Sequence, residues 1–288
     1  MNRSSSAHRK CGARILGLLA VMAATPTASL AGPPFQTDDP EPIDYKHYEF
    51  YTFTTVDRVP GEADTVGLAV EFNWGSLPNT HLHIIVPYAG IIPSEGPRVF
   101  GLGDIELGVK YRFVQETKTR PMIGTFVMFE VPTGSAAKVL GEGKTWYKLP
   151  IWAQKSFGPW TTYGGGGATI QPAKDYRNYP FAAWLVQRDL GKKFTLGTEF
   201  FYHGPEGPAS PLDRPATLLD IGGYYKIRDE GFQLLYCYGH SVIGKDETYA
   251  YLGLYWTWPA KKDDKPDDPG EKSKPPAGMA FSGPMGRR

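Results

Sequence analysis

The sequence predicts an all-β protein, a transmembrane antiparallel β-barrel of about twelve strands, and two observations carry that prediction. The first is strict alternation, in which every second residue is apolar and the residues between are small or polar. In one run the apolar residues are Val66, Leu68, Val70, Phe72 and Trp74, and the residues between them are Gly67, Ala69, Glu71 and Asn73. Successive strand side chains point to opposite faces, so one face suits hydrocarbon and the other suits water or paired charges. The second observation is an export signal ahead of these runs.

The N-terminus has the three parts of a secretory signal peptide. Its only charged residues are basic, an apolar stretch follows from Ile15 to Ala24, and Ser29-Leu30-Ala31 supplies a small-x-small cleavage site. The apolar stretch is too short for a spanning helix, which needs roughly 20 residues. We therefore predict a signal peptide over 1–31 with cleavage after Ala31.

Composition narrows the remaining possibilities. Without residues 1–31, 27 Lys+Arg stand against 30 Asp+Glu, a net charge of −3, which argues against nucleic acid as a partner. Cys237 is then the single cysteine, so no intramolecular disulfide can form. The mean hydropathy of −0.34 is compatible with a barrel, because alternation dilutes the apolar residues.

The alternating runs follow one another with turn-forming residues between them. Short connections such as Phe157-Gly158-Pro159 alternate with longer ones rich in proline and glycine, which is typical of bacterial barrels. The predicted strands cover 45–57, 64–74, 80–87, 103–114, 121–132, 145–157, 160–168, 179–189, 194–203, 216–228, 231–239 and 248–258. The domain organisation is therefore a signal peptide (1–31), a periplasmic N-terminal segment (32–44), the barrel (45–258) and a disordered charged tail (259–288).

Several segments resemble an outer-membrane protein family named for the MetA-pathway of phenol degradation and described as transporters. The most specific is Gly101-Leu102-Gly103-Asp104-Ile105-Glu106-Leu107-Gly108-Val109-Lys110-Tyr111-Arg112-Phe113. Others are the 70–75 and 82–87 runs, Val131-Pro132-Thr133-Gly134, and 152–160 leading into Tyr163-Gly164-Gly165-Gly166-Gly167. The resemblance covers most of 45–258. It implies an outer-membrane barrel that takes up small molecules, aromatic or hydrophobic compounds among them, and it names no substrate.

The predicted lumen face carries charges of both signs together with tyrosines. The residues predicted to line the pore are Glu71, Glu106, Lys110, Arg112, Glu130, Lys148, Glu199, Asp220, Tyr224, Lys226 and Arg228. Such groups either brace a narrow lumen as a charge network or line a solute pathway, and strand number does not decide between the two. We expect Lys110 and Arg112 to reach towards carboxylates on adjoining strands.

Other motifs point to no catalytic, cofactor or metal site. His81 and His83 share one strand face, but two ligands do not make a metal site. His240 and Ser241 would face opposite sides of a strand, which leaves no dyad for an outer-membrane lipid-modifying hydrolase unless the chain there is a loop. Gly143-Lys144-Thr145 lacks the first glycine of a phosphate loop.

The prediction is thus a non-enzymatic outer-membrane channel or transporter-like barrel, reached through the periplasm. Its expected partners are outer-membrane lipid, a small-molecule solute and the barrel-assembly machinery, and it is expected to be a monomer. The alternatives are an outer-membrane hydrolase and a closed structural or adhesive barrel.

Overall fold

The structure is a computed structural model that describes residues 33–60, 64–172, 174, 176–206, 214–228 and 231–259. The predicted signal peptide (1–31) and residues 260–288 of the predicted tail lie outside the described residues.

Thirteen strands and one short 3-10 turn, Ala136–Lys138, form the described part of the chain. The strands are β1 (His47–Arg58), β2 (Asp64–Leu77), β3 (Thr80–Ile92), β4 (Val99–Leu102), β5 (Ile105–Val114), β6 (Met122–Val131), β7 (Trp146–Phe157), β8 (Trp160–Ile170), β9 (Tyr179–Leu190), β10 (Phe194–His203), β11 (Ala216–Arg228), β12 (Phe232–Gly244) and β13 (Thr248–Pro259). Within the described residues, no helix is long and apolar enough to cross a membrane.

The strands close into one antiparallel barrel. Each strand pairs with its neighbours in chain order, and β1 pairs with β13 over their whole length, from His47 opposite Pro259 to Arg58 opposite Thr248. The short β4 and the longer β5 both pair with β3 and form one interrupted wall strand. The wall therefore has twelve strands, which confirms the predicted fold class.

Several strands extend beyond the predicted bounds, and β3 and β12 extend furthest. The predicted third strand ends at Pro87. In the structure β3 continues to Ile92, since the Pro87 carbonyl accepts a hydrogen bond from Gly103 N at 3.0 Å and Pro87 keeps its place opposite Ala69. β12 likewise runs to Gly244 rather than to residue 239.

Alternation places the polar residues inside the barrel. On β2 the exposed fractions of Glu71 and Asn73 are 3% each, whereas those of Phe72 and Trp74 are 37% and 42%. Large apolar side chains are exposed in the same way around the wall, including Leu82, Val109, Ile151, Trp184, Phe200, Ile221, Tyr238 and Leu252. This outer apolar surface is what a bilayer core requires.

The two ends of the barrel differ. The connections 78–79, 115–121, 158–159 and 191–193 are short turns at one end, here called the turn end. The connections 93–98 and 132–145 lie at the opposite end, here called the loop end. β1 starts at the turn end, and β13 returns to it.

Much of the lumen is filled by side chains. A first apolar cluster contains Phe35, Tyr51, Tyr163, Leu185, Tyr224, Leu235, Cys237, Tyr251 and Tyr255. A second contains Phe126, Met128, Trp152, Phe181, Ala183 and Phe201. The inner face from β6 to β13 therefore carries most residues of the two apolar clusters, together with buried polar groups that include Gln154, Gln187, Glu199 and Asp220.

Candidate lumen site

Residues 33–44, here called the plug, occupy the barrel lumen. The sequence analysis placed segment 32–44 in the periplasm, yet Phe35, Thr37 and Asp39 are at most 6% exposed and are enclosed by the wall. The plug leaves β1 at the turn end, where Lys46 N bonds to Gly75 O. It then rises along β3, β5 and β6 and crosses to the opposite wall, so residues 33–44 of the predicted periplasmic segment lie inside the barrel.

At mid-barrel the plug is held by two carboxylates. Thr37 donates to Glu199 through its backbone N (2.5 Å) and its hydroxyl, and Gln36 N donates to the other oxygen of Glu199 at 3.1 Å. The Gln36 side-chain amide donates to Asp220 at 3.2 Å. Glu199 and Asp220 are opposite each other on β10 and β11, and both are fully buried. Their hydrogen-bonding capacity is thus directed towards the plug.

Closer to the turn end, the plug supplies carboxylates to cations on β5. Lys110 Nζ lies 3.3 Å from Asp39 Oδ2 and 3.9 Å from Asp38 Oδ1, and Arg112 lies 3.7 Å from Glu41. We expected these cations to pair with carboxylates on adjoining strands. They pair instead with a segment about 70 residues away in sequence, because the plug brings acidic groups closer than the neighbouring strands do.

Small residues on the wall make room for the plug. An added Cβ at Gly197 would lie 3.0 Å from the Phe35 ring, and one at Gly124 would lie 3.0 Å from Pro40 Cβ. Phe35 fills a gap in the first apolar cluster, and Tyr249 donates to the Pro34 carbonyl at 3.3 Å. Packing contacts and polar contacts therefore act jointly to hold the plug in the lumen.

Burial perturbs the acidic groups of the plug. It raises the pKa of Asp39 to about 7, although Lys110 acts in the opposite direction. Burial also raises the pKa of Asp38 and of Glu41 from their usual values, again opposed by Lys110 and by Arg112 respectively. The docked plug therefore binds protons that a released plug, with ordinary carboxyl pKa values, would lose.

This linkage predicts that plug docking weakens as pH rises. Proton binding favours the docked state below the ordinary carboxyl pKa of about 4, and that contribution is lost as pH rises through about 7. We expect single-channel conductance in a planar bilayer to increase between about pH 5 and pH 8. Asp39→Asn should flatten the change, and an identical pH profile for parent and Asp39→Asn would contradict the linkage.

Other predicted pore residues lie on the same inner face but bind one another. His83 contacts Glu106 Oε1 through Nε2 at 2.9 Å and Asn73 Oδ1 through Nδ1 at 2.7 Å, and Asn73 in turn donates to Glu71 and Glu49. Both ring nitrogens of His83 thus face acceptors, which fits an imidazolium that bridges Glu71 and Glu106. This network supports the wall between β1 and β5.

The remaining predicted pore residues divide into two groups. Glu130 accepts a hydrogen bond from Trp146 Nε1 at 3.1 Å, Lys148 lies over the Phe181 ring, and Tyr224 belongs to the first apolar cluster. Lys226 and Arg228 lie near the turn end of β11 and line none of the three cavities described next. The structure does not bring these two residues to the lumen site.

The described residues form an outer vestibule, a side cavity and an inner cavity, and the last two border the plug. The outer vestibule, about 910 Å³, opens among the loops beside Asp104, Glu130 and Tyr179. The side cavity, about 240 Å³, lies beside Lys148 and His203. The inner cavity, about 410 Å³, runs along the plug and is lined by His47, Glu49, Glu71, His81, His83, Lys110, Phe126 and Met128 among others.

Trp146 lies where the three cavities meet, since its side chain lines all of them. The sequence analysis did not single it out as a lumen residue, because a tryptophan near a strand end is typical of the membrane interface. Its parity could have identified it, as Trp146 shares a face of β7 with Lys148, Trp152 and Gln154. Trp146 therefore separates the vestibule from the inner cavity.

The remaining sequence candidates bind within the protein. His240 is exposed and contacts Thr248 and Asp246, and Ser241 Oγ accepts from Glu247 N. Among the described residues, one group has three potential metal ligands close together, formed by His203, Glu206 and Glu247 at the loop end. His203 Nε2 is already 2.8 Å from Glu247, so these side chains are paired with one another.

No protein-family model and no curated protein matches the sequence. Solved structures do match: the NanC porin aligns with a TM-score of 0.50 and 9% identity, over 72% of this chain and 98% of that chain. The KdgM porin in complex with disordered oligogalacturonate has a TM-score of 0.47 and 10% identity, over 72% and 99%. The translocator domain of autotransporter NalP from Neisseria meningitidis has 0.48 and 10%, over 74% and 89%. At these identities the likeness shows the fold alone, a closed antiparallel β-barrel.

Proposed function

We propose that this protein is a non-enzymatic outer-membrane channel that admits small solutes through a lumen narrowed by the plug. The observation that carries the proposal is the arrangement of the three cavities: the vestibule and the side cavity lie towards the loop end, the inner cavity runs along the plug, and Trp146 lines all three. The outer apolar surface supports a location in the outer membrane, and the short turns at one end support an orientation with that end towards the periplasm. The route would thus run from the vestibule past Trp146 and along the plug to the periplasm.

The finer parts of the proposal rest on the sequence. The resemblance to the phenol-degradation family supports membership in that family and supports small aromatic or hydrophobic compounds as solutes. The signal peptide supports export through the periplasm and insertion by the barrel-assembly machinery. We propose a monomer, because a single closed chain leaves no unpaired strand edge for a partner.

Trp146→Ala should raise single-channel conductance, since it removes the side chain at the meeting point of the cavities. The matched control is Trp184→Ala, which removes a tryptophan that is 57% exposed on the outer surface and should leave conductance unchanged. Both variants are recorded in planar bilayers after refolding. Equal conductance of parent and both variants would reject Trp146 as the constriction, and no conductance in any of them would favour a closed structural barrel.

A further inference from the structure

His81 lines the inner cavity, and one of its ring nitrogens has no hydrogen-bond partner among the described residues. His81 is 3% exposed, and its Nδ1 accepts a hydrogen bond from the backbone N–H of Ile43 in the plug at 3.2 Å. Since Nδ1 supplies a lone pair, the ring is neutral and its proton is on Nε2. Nε2 is a buried donor with no hydrogen-bond acceptor among the described residues. Buried donors are nearly always satisfied, so this one is suited to a bound molecule.

The surface beside His81 is apolar. The His81 ring meets Phe126 edge to face, with centroids 5.5 Å apart, and Met128 and Ile85 line the same cavity. At about 410 Å³ the cavity lies at the small end of the range for ligand sites. A single ring with a short substituent suits this space.

Charge around the cavity disfavours an anion. Seven carboxylates and two lysines, Lys110 and Lys148, line the cavity. The carboxylates are those of Asp38, Asp39, Glu41, Asp44, Glu49, Glu71 and Glu106. Lys110 is already paired with Asp38 and Asp39. The nearby acceptors are also engaged, because Glu49 and Glu71 bind Asn73 and Glu106 binds His83. The free group is thus a donor, which requires an uncharged acceptor oxygen.

We propose that the inner cavity binds a small neutral aromatic compound whose hydroxyl, carbonyl or ether oxygen accepts a hydrogen bond from His81 Nε2. The proposal rests on the proposed channel function and deepens it by specifying the group on an aromatic solute, an uncharged oxygen acceptor, and the residue that binds it. It also gives the plug a part in recognition, because the Ile43 N–H fixes the tautomer that presents the donor.

The test compares four probes of nearly equal size: benzyl alcohol, toluene, benzoate and benzylamine. Calorimetric titration of the refolded full-length barrel in detergent should show benzyl alcohol binding more tightly than the other three. His81→Leu should weaken benzyl alcohol about five- to tenfold and leave toluene unchanged, since one hydrogen bond is removed. His240→Leu is the matched control, because His240 is exposed at the loop end, and it should bind like the parent.

A second variant tests the tautomer directly. Ile43→Pro removes the N–H that binds His81 Nδ1, so ¹⁵N spectra of the His81 ring should change from the Nε2–H form to a mixture, and benzyl alcohol affinity should fall. This variant lies in the plug and serves also if His81→Leu fails to fold. Unchanged benzyl alcohol affinity in folded His81→Leu or Ile43→Pro, or tighter binding of benzoate, would overturn the proposal.

Conductance of the same preparations separates this proposal from the channel function. If the parent protein conducts ions but does not discriminate among the probes, the channel function is supported and the proposed ligand is rejected. If the parent binds benzyl alcohol through His81 but never conducts, the binding site is supported and the channel function is rejected.

Discussion

Replacing residues 33–43 with a glycine- and serine-rich sequence of equal length should raise single-channel conductance several-fold. The replacement removes Phe35 from the first apolar cluster and removes the side-chain groups that bind Asp220, Lys110 and Arg112. A Gly/Ser segment of this length behaves as flexible coil and has no side chains to fill the lumen. Keeping the length preserves the spacing between the predicted cleavage site and β1.

Two point variants make the same test with less disturbance. Lys110→Met leaves Asp39 buried without its cation, which should weaken docking and increase conductance. Asp39→Asn/Lys110→Met removes both charges and should return conductance towards that of the parent. Compact migration in SDS before boiling verifies that each barrel is folded. If the Gly/Ser replacement conducts no more than the parent, the plug does not limit the pathway.

Alternation was sufficient to predict the wall of this barrel. The period of two identified twelve wall strands, and it placed Glu71 and Asn73 inside with Phe72 and Trp74 outside. Alternation did not predict β4, a strand that depends on pairing with another strand. β4 forms because residues 99–102 pair with the extended end of β3, a pairing that a run of four residues does not reveal.

The lumen contents were much harder to predict than the wall. The plug has no strand period, and its contacts join residues such as Thr37 and Glu199 that are 162 positions apart. A signal was nevertheless present, because Asp38, Asp39 and Glu41 lie immediately before a barrel whose inner face has Lys110 and Arg112. Alternation along a single strand predicts that each cationic side chain points into the lumen, but it does not predict which carboxylate the cation pairs with.

The apolar inner face of β9 shows a second limit. Phe181, Ala183 and Leu185 point inward while Pro180, Ala182 and Trp184 point outward, so residues 180–185 have no charge on either face. Arg188, nearer the turn end, points outward over the Trp160 ring. A strand that is apolar on both faces is typical of a filled interior, and this lumen is filled beside β9.

Val109→Arg should lower the free energy of unfolding of the membrane-inserted barrel by about 2–4 kcal/mol, because it places a charge on the outer surface near mid-membrane. Val109 is 39% exposed near the centre of β5, and its cross-strand partners are Leu82 and Val127. Phe113→Arg, on the same face but next to the turn end, should cost only about 0–1 kcal/mol, since the penalty falls towards the interface.

Urea unfolding of both variants from lipid vesicles measures the difference. Gly108 is unsuitable as an inner-face control, because an added Cβ there would lie 2.7 Å from the Phe126 ring and 3.2 Å from His83. The depth-matched pair on one strand avoids this problem, since both substitutions introduce the same side chain on the same face. Equal destabilisation by Val109→Arg and Phe113→Arg would mean that the outer surface of β5 does not cross a hydrocarbon core. That result would reject the membrane location on which the channel proposal depends.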